Sequence, residues 1–289
     1  MQKTLKKYFV IFTVPTLLAF SFAFVIPFIM GVYMSFCEFT TVDNAKFVGF
    51  QNYVKAFVGS SSFMNAFGFT VKFVIVAILV VNLGAFGLAM LLTKKIRGTN
   101  IFRTVFFMPN LIGGIVLGYT WQQMINAVLY QYGTTIVSNA KFGFIGLVLL
   151  MNWQMVGYMM IIYIAGLQAV PEDMLEAAKI DGAGGAQTLF KVIIPNVMPS
   201  ITICTFLTLT NSFKLFDQNL ALTGGMPSII ENGAKVNTTE LLALNIYSTY
   251  NISKNYHGVA QAKAVIFFLL VAVLAIAQQT LTKRKEVQQ

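Results

Sequence analysis

Charge is what this sequence has least of. Only 10% of its 289 residues are Asp, Glu, Lys or Arg, and 57% are hydrophobic. Soluble domains carry about a quarter charged residues, so this chain cannot cover a water-facing surface and reads as a membrane protein. Histidine is nearly absent. His257 stands alone, which leaves a His-based metal site or a His-dependent triad little to build on. The two cysteines, Cys37 and Cys204, have neither CxxC nor metal-ligand spacing and read as small buried hydrophobes. No catalytic residue and no metal ligand can be named. Carboxylates are missing from the interiors of the apolar runs, which counts against a proton- or sodium-coupled carrier, because its relay needs them there. Two similar halves, another mark of such carriers, are not visible.

What is there is basic charge in a particular place. Twenty Lys and Arg stand against ten Asp and Glu, for a net +10. They sit mostly beside apolar runs, where they orient spans and meet anionic headgroups, so nucleic acid is not an expected partner. A membrane-spanning helix needs about 20 mostly apolar residues. Six stretches qualify: Tyr8 to Phe36, Val71 to Leu92, Thr104 to Met124, Phe142 to Leu167, Pro199 to Phe216 and Ala262 to Leu281. The first follows Lys3, Lys6 and Lys7, but it is longer than a signal-peptide core and is expected to remain as a span. The fold class is therefore all-α, a polytopic protein of six transmembrane helices.

Lys3, Lys6, Lys7, Lys94, Lys95, Arg97, Arg103, Lys179, Lys191, Lys283, Arg284 and Lys285 fall on one side. They outnumber Lys46, Lys55, Lys141, Lys235 and Lys254 on the other, which puts both termini in the cytoplasm. The connection after the fourth run then faces the cytoplasm too, and it is no plain loop. Pro171, Glu172 and Asp173 suit a helix start, Asp181-Gly182 suits its end, and a second short helix fits from Gly185, with Leu189, Val192 and Ile193 on one face. Pro195 is expected to turn the chain out of helix before the fifth span. The result is a helix–turn–helix elbow at the membrane surface, readable from spacing alone either as a mere connection or as a docking element.

The stretch "EAAKIDGAGGAQTLFKVIIPNVMP" (176–199) resembles the EAA coupling loop of bacterial ABC importer permeases. Its matching residues are Glu176, Ala177, Ala178, Asp181, Gly182, Ala183, Phe190, Pro195 and Pro199. "FVGFQNY" (47–53), "FRTVFFMPN" (102–110), "SFKLFDQNLALTGGMP" (212–227), "TTELLALNIY" (238–247) and "GVAQAKAV" (258–265) are similar to the carbohydrate-uptake subfamily, in particular to the short six-span relatives of the larger maltose-type subunit. Met226 departs from the pattern, standing between Gly225 and Pro227 where Gly-Gly-Pro is usual.

The resemblance implies a single permease domain over 1–289 in a bacterial cytoplasmic membrane. It also implies a second permease subunit, a cytoplasmic ABC ATPase dimer and an extracytoplasmic solute-binding protein that delivers a sugar, an oligosaccharide by expectation. A non-sugar solute such as glycerol phosphate is the alternative within the family. The chain has no GxxxxGK[ST] loop, so it is expected to be non-catalytic and without cofactor, with ATP and Mg on the partner ATPase. The elbow at 172–194 would enter a groove of that ATPase, with Glu176 as electrostatic anchor and Gly182 setting its angle.

Sugars present apolar ring faces and hydroxyl edges, so Asn110, Tyr119, Gln122, Asn211 and Phe213 in the third and fifth spans are the substrate-path candidates, weighed against plain interhelical packing. Lys214 and Asp217, three apart, read as a structural pair on the fifth span's end. Lys72 and Lys263 read as snorkelling, and Trp121 and Trp153 as interfacial anchors.

Overall fold

The computed structural model describes residues 2–58, 61–94, 97–231 and 233–283. Lys95, Arg284 and Lys285, used above for orientation, lie outside them. The chain begins with α1 (Gln2–Phe20), a π-helical turn (Ser21–Val25) and α2 (Ile26–Ser35), then a short hairpin of β1 (Cys37–Glu38) and β2 (Lys46–Phe47), and α3 (Gln51–Val58). After α4 (Ser61–Thr93) come α5 (Thr99–Phe107), a 3₁₀ turn (Met108–Leu111), α6 (Gly114–Leu129) and α7 (Ala140–Gln168). Next are α8 (Glu172–Ile180), α9 (Gly185–Thr188), a second π turn (Leu189–Ile193), α10 (Ile194–Phe213) and α11 (Asp217–Leu222). An antiparallel hairpin of β3 (Ser228–Glu231) and β4 (Ala234–Asn237), α12 (Leu242–Ile252) and α13 (His257–Lys283) complete the order.

Among the described residues five stretches can cross a membrane by length and apolarity: Ile11–Ser35, Ser62–Thr93, Ala140–Gln168, Gly185–Phe213 and Lys254–Lys283. The sixth expected span, 104–124, is not one helix. Thr99–Leu111 and Gly114–Tyr132 meet at 102°, and they count as one span only if the bent pair is taken together. Pro109 is the second residue of the 3₁₀ turn, and Ile112 and Gly113 are extended, so the α-helical ladder has no continuation there.

The fifth span is also different from the reading. It starts at Gly185 and runs through Pro195 and Pro199, and it ends at Phe213 rather than Phe216. A proline ring would clash with the carbonyl four residues back, and the π turn at 189–193 shifts that carbonyl. The first span uses the same device, with the π turn at 21–25 just ahead of Pro27. Proline-based boundary reasoning failed because it assumed an α-helical turn before the ring.

The chain divides into two compact units, Met1–Ser60 with Ile246–Phe268, and Ser61–Asn245 with Leu269–Gln289. In the first, the buried Asn52 donates from Nδ2 to the carbonyls of Ser35 (3.0 Å) and Cys37 (2.9 Å). The motif asparagine of "FVGFQNY" thus fastens α3 to the end of α2.

In the second unit, α4 lays a stripe of Phe73, Ala77, Val81, Ala85 and Ala89 against the methionine-rich face of α7. Lipid tails are as apolar as leucine, so helix association in a membrane relies on such close packing and on buried hydrogen bonds. A buried set supplies the latter: Tyr163 Oη donates to Asn82 Oδ1 (2.8 Å), and Asn82 Nδ2 donates to Thr208 Oγ1 (3.3 Å). Asn219 in "LFDQNLALTGGMP" ties the loop after α10, donating to Thr239 O (2.8 Å) and accepting from Leu241 N (2.9 Å).

Candidate functional site

The elbow is built by its own backbone. Pro171 stands just before α8, one residue earlier than the helix start assigned to it, and Glu172 and Asp173 occupy the first turn with Lys179 in the last. Each such charge favours the helix dipole by about 0.3–1 kcal/mol. The helix closes in a Schellman motif. Gly182 takes φ +74°, its N–H bonds to Lys179 O (3.1 Å), and Ala183 N–H bonds to Ala178 O (2.9 Å). Gly184 then caps α9 in extended conformation, and the helix continues as one rod to Phe213. Glu176, Ala177, Asp181 and Gly182 are exposed, Ala178 is buried, and Ala183 is half-buried. Phe190 is 67% exposed on the π turn, and Ile180 is 86% exposed. Large apolar side chains held this far out beside a charged helix face form a surface a groove can close on.

The second feature lies where the third span breaks. A cavity of about 200 Å³ is lined by Asn110, Met151, Gln154, Met155, Asn211, Lys214, Leu215 and Gln218. Its amides are positioned by one another: Gln218 Nε2 donates to Gln154 Oε1 (2.8 Å), and Gln154 Nε2 donates to Ile112 O (3.3 Å) at the break. The break itself is braced from α7, whose Gly157 backbone meets the carbonyl of Phe106 with no room for a Cβ. Across from it Gly118 of α6 lets α11 approach so closely that a Cβ would come within 2.6 Å of Ala221 Cβ. The outcome is a small chamber of four amides, one lysine and three apolar side chains, in which the amide carbonyl oxygens and NH₂ groups match hydroxyl donors and acceptors.

Of the five candidates, Asn110 and Asn211 line this chamber. Tyr119 is exposed on α6, beyond the break, and does not line it. Gln122 is engaged elsewhere, donating to Leu222 O (2.8 Å). Phe213 is 1% exposed and packs inside, so no solute reaches its ring in this conformation. Gln154 and Gln218 lie outside the third and fifth runs, where polarity within an apolar stretch marks candidates. A spacing rule across spans would not have found them, since nothing in one sequence says which faces converge.

Lys214 and Asp217 do not share a helix face. The fifth span stops at Phe213, and Asp217 opens α11. Lys263 does not snorkel: it is 3% exposed and donates to Thr249 Oγ1 (2.8 Å). Lys72 is exposed and lies 4.9 Å from the Phe144 ring centroid. Trp121 and Trp153 pack on each other, 5.7 Å between centroids. At the departure from Gly-Gly-Pro, Gly224 and Gly225 take positive φ and the Met226–Pro227 bond is cis.

Comparison with known proteins bears on the chain as a whole. The family model described as "Binding-protein-dependent transport system inner membrane component" matches residues 85–287. The chain is 41% identical over 286 residues to the "Probable starch degradation products transport system permease protein AmyD" of Thermoanaerobacterium thermosulfurigenes, covering 96% of this chain and 94% of that one. It is 32% identical to the "Multiple sugar-binding transport system permease protein MsmF" of Streptococcus mutans, with 99% of each chain covered. A crystal structure of a bacterial ABC transporter that imports the acidic polysaccharide alginate has the same fold, with TM-score 0.79 over 98% of both chains at 17% identity.

Proposed function

The chain belongs to the family of binding-protein-dependent transport system inner membrane components, and on that premise we propose that it forms part of the translocation path of an ATP-driven importer for an oligosaccharide. The observation that carries the substrate class is the likeness, over nearly the whole chain, to a permease named for starch degradation products. The four amides of the chamber fit that reading, since their carbonyl and NH₂ groups can pair with sugar hydroxyls.

In this proposal a second permease subunit completes the path, an extracytoplasmic binding protein delivers the sugar, and a cytoplasmic ATPase dimer binds ATP and magnesium. This chain itself performs no catalysis. Both termini lie in the cytoplasm, so the elbow at 172–194 faces the ATPase. Glu176 and Asp181 form the polar side of the contact, exposed Ala177 adds no bulk to it, and Phe190 is the apolar anchor. Gly182 and Ala183 hold α8 at a fixed angle to the rod behind it, with Ala178 on the buried side of α8 and Pro195 inside the rod.

The continuity of that rod gives the mechanism a physical basis. Gly185–Phe213 is 29 residues of unbroken helix, about 43 Å at 1.5 Å per residue. One end is the elbow, and the other carries Asn211 into the chamber. A displacement imposed on the elbow by ATPase closure therefore reaches the chamber wall without a flexible joint, except for the π turn.

The test is gentle extraction of the tagged chain from its native membrane and mass spectrometry of what accompanies it. A second six-span permease, an ABC ATPase and a binding lipoprotein are expected. Recovery of the chain alone, repeatedly and under mild conditions, overturns the importer reading.

A further inference from the structure

The segment after the first span exposes more apolar side chain than a water-facing connection needs. Phe47, Phe50, Val54 and Phe57 are each about half exposed or more. Phe50 accepts the first helical bond of α3 from Val54 N–H (3.1 Å), so the helical geometry extends back to it. At 3.6 residues per turn Phe50, Val54 and Phe57 then share one face. Asn52 and Ala56 occupy a second face, which is buried, and Gln51 and Lys55 a third, which is exposed and polar. A short helix with one face against protein, one apolar and exposed, and one polar and exposed has the sectoring of an element lying in a membrane interface.

Its depth is set by the hydrogen bonds of Asn52 to Ser35 O and Cys37 O, and by the Ser35 Oγ to Tyr53 Oη bond (2.7 Å). Gly258, second residue of α13, packs its backbone on the same Cys37 carbonyl. Thus α3 is held where the first span ends and α13 begins. The apolar surface is also continuous with the span. Phe36 at the end of α2 contacts the rings of Phe50 (5.3 Å) and Tyr53 (5.2 Å), and Tyr33, a turn earlier, is exposed.

We infer that α3 is an interfacial anchor, with Phe50, Val54 and Phe57 seated at the acyl boundary of the outer leaflet and Gln51 and Lys55 turned to the headgroups and water. The occupant of this face is lipid, and the inference rests on Ile11–Ser35 being a membrane span.

Nitroxide labels read this directly. Single cysteines replace Phe50, Val54, Phe57, Gln51 or Lys55 in turn. Cys37 and Cys204 are fully buried and do not compete for label. The assembled transporter is placed in bilayer discs of phosphatidylethanolamine and phosphatidylglycerol. Collision of each label with oxygen and with a water-soluble nickel chelate is then measured. Oxygen collisions should exceed nickel collisions several-fold at 50, 54 and 57, with the ratio inverted at 51 and 55. Nickel access at all five places the face in water and overturns the inference. Exclusion of both reagents at 50, 54 and 57 means protein covers it, which overturns it equally. Should a cysteine variant fail to assemble, photoactivatable phospholipid cross-linked to the unsubstituted complex gives the second reading. Adducts on residues 47–58 are expected, and their absence overturns the inference without touching the importer reading.

Discussion

The elbow and the chamber lie at opposite ends of one helix, and they keep their shapes by opposite means. In the elbow the ordering bonds are backbone bonds within α8 and the turn after it, and a Cβ added at Gly182, Gly184 or Gly185 would meet nothing within 4 Å. In the chamber the ordering contacts join segments far apart in sequence: Gln154 to Ile112, Gln218 to Gln154, and Gly157 against Phe106. A self-ordered elbow tolerates substitution of its surface without unfolding the chain. A chamber held by convergence passes any change on to the helices that make it. Two glycines separate these cases, one required by backbone conformation and the other by space.

Gly157→Leu should have the largest effect. Its side chain would occupy the position of the Phe106 carbonyl, and backbone cannot swing aside as a side chain can. Overpacking of this kind costs about 3 kcal/mol, the upper part of the usual range. The expected outcome is loss of the assembled complex, read as a missing monodisperse peak and a collapsed thermal transition in detergent. A normal transition would mean α7 is not clamped on the break.

Gly182→Asp comes next and should behave differently. At φ +74° a Cβ costs about 1–2 kcal/mol, yet the surrounding space is open. The complex should still assemble, while uptake per complex falls roughly 5- to 30-fold, the factor that strain represents in an equilibrium. Gly182→Asn, which accepts the left-handed region more readily, should lose less. Equal uptake in Gly182→Asp and the unaltered protein would remove Gly182 from the coupling role.

These two residues also show what sequence reading can reach. Gly182 was legible because a helix end is a local event: Asp-Gly after an Ala-rich turn, with acidic residues at the start and lysine near the end, carries its conformation in adjacent positions. Gly157 was not, because its reason lies about fifty residues away at Phe106. The six apolar runs were legible for the same local reason. Hydropathy averages over a window, however, and so passed straight over Pro109 and the Gly113-Gly114 pair that break the third run. Asn110 and Asn211 stand out by polarity within apolar runs, and they do line the chamber. Phe213 stands out by its ring, but burial depends on which face of α10 meets the rest of the unit, and one sequence does not state it.

A smaller effect is expected from the amide pair. Gln218→Ala removes one side-chain bond and Gln154→Ala two, about 1 kcal/mol for each bond, and both leave a polar partner to find water. If the two act as one brace, the double variant should cost less than the sum of the singles, by about 0.5 kcal/mol or more. Thermal transitions of the four proteins decide it. Strict additivity would mean that Gln154 and Gln218 line the same chamber independently.

Glu176→Gln is the smallest change and tests the elbow most directly. Glu176 is exposed on α8, so removing its charge should shift the stability of this chain by no more than about 0.5 kcal/mol. Its expected effect is on the ATPase contact alone, because an anchor made by charge weakens when the charge is gone. Salt distinguishes that cause from a loss of shape. Screening at physiological ionic strength acts over about 8 Å, so raising salt should weaken ATPase binding by the unaltered chain and leave Glu176→Gln nearly indifferent. Affinity of the ATPase for the detergent-solubilised permease pair, titrated at low and high salt, gives the four numbers required. Parallel salt dependence in both proteins would mean that Glu176 makes no charged contact. The grip on the elbow would then rest on Phe190 and the shape of the turn.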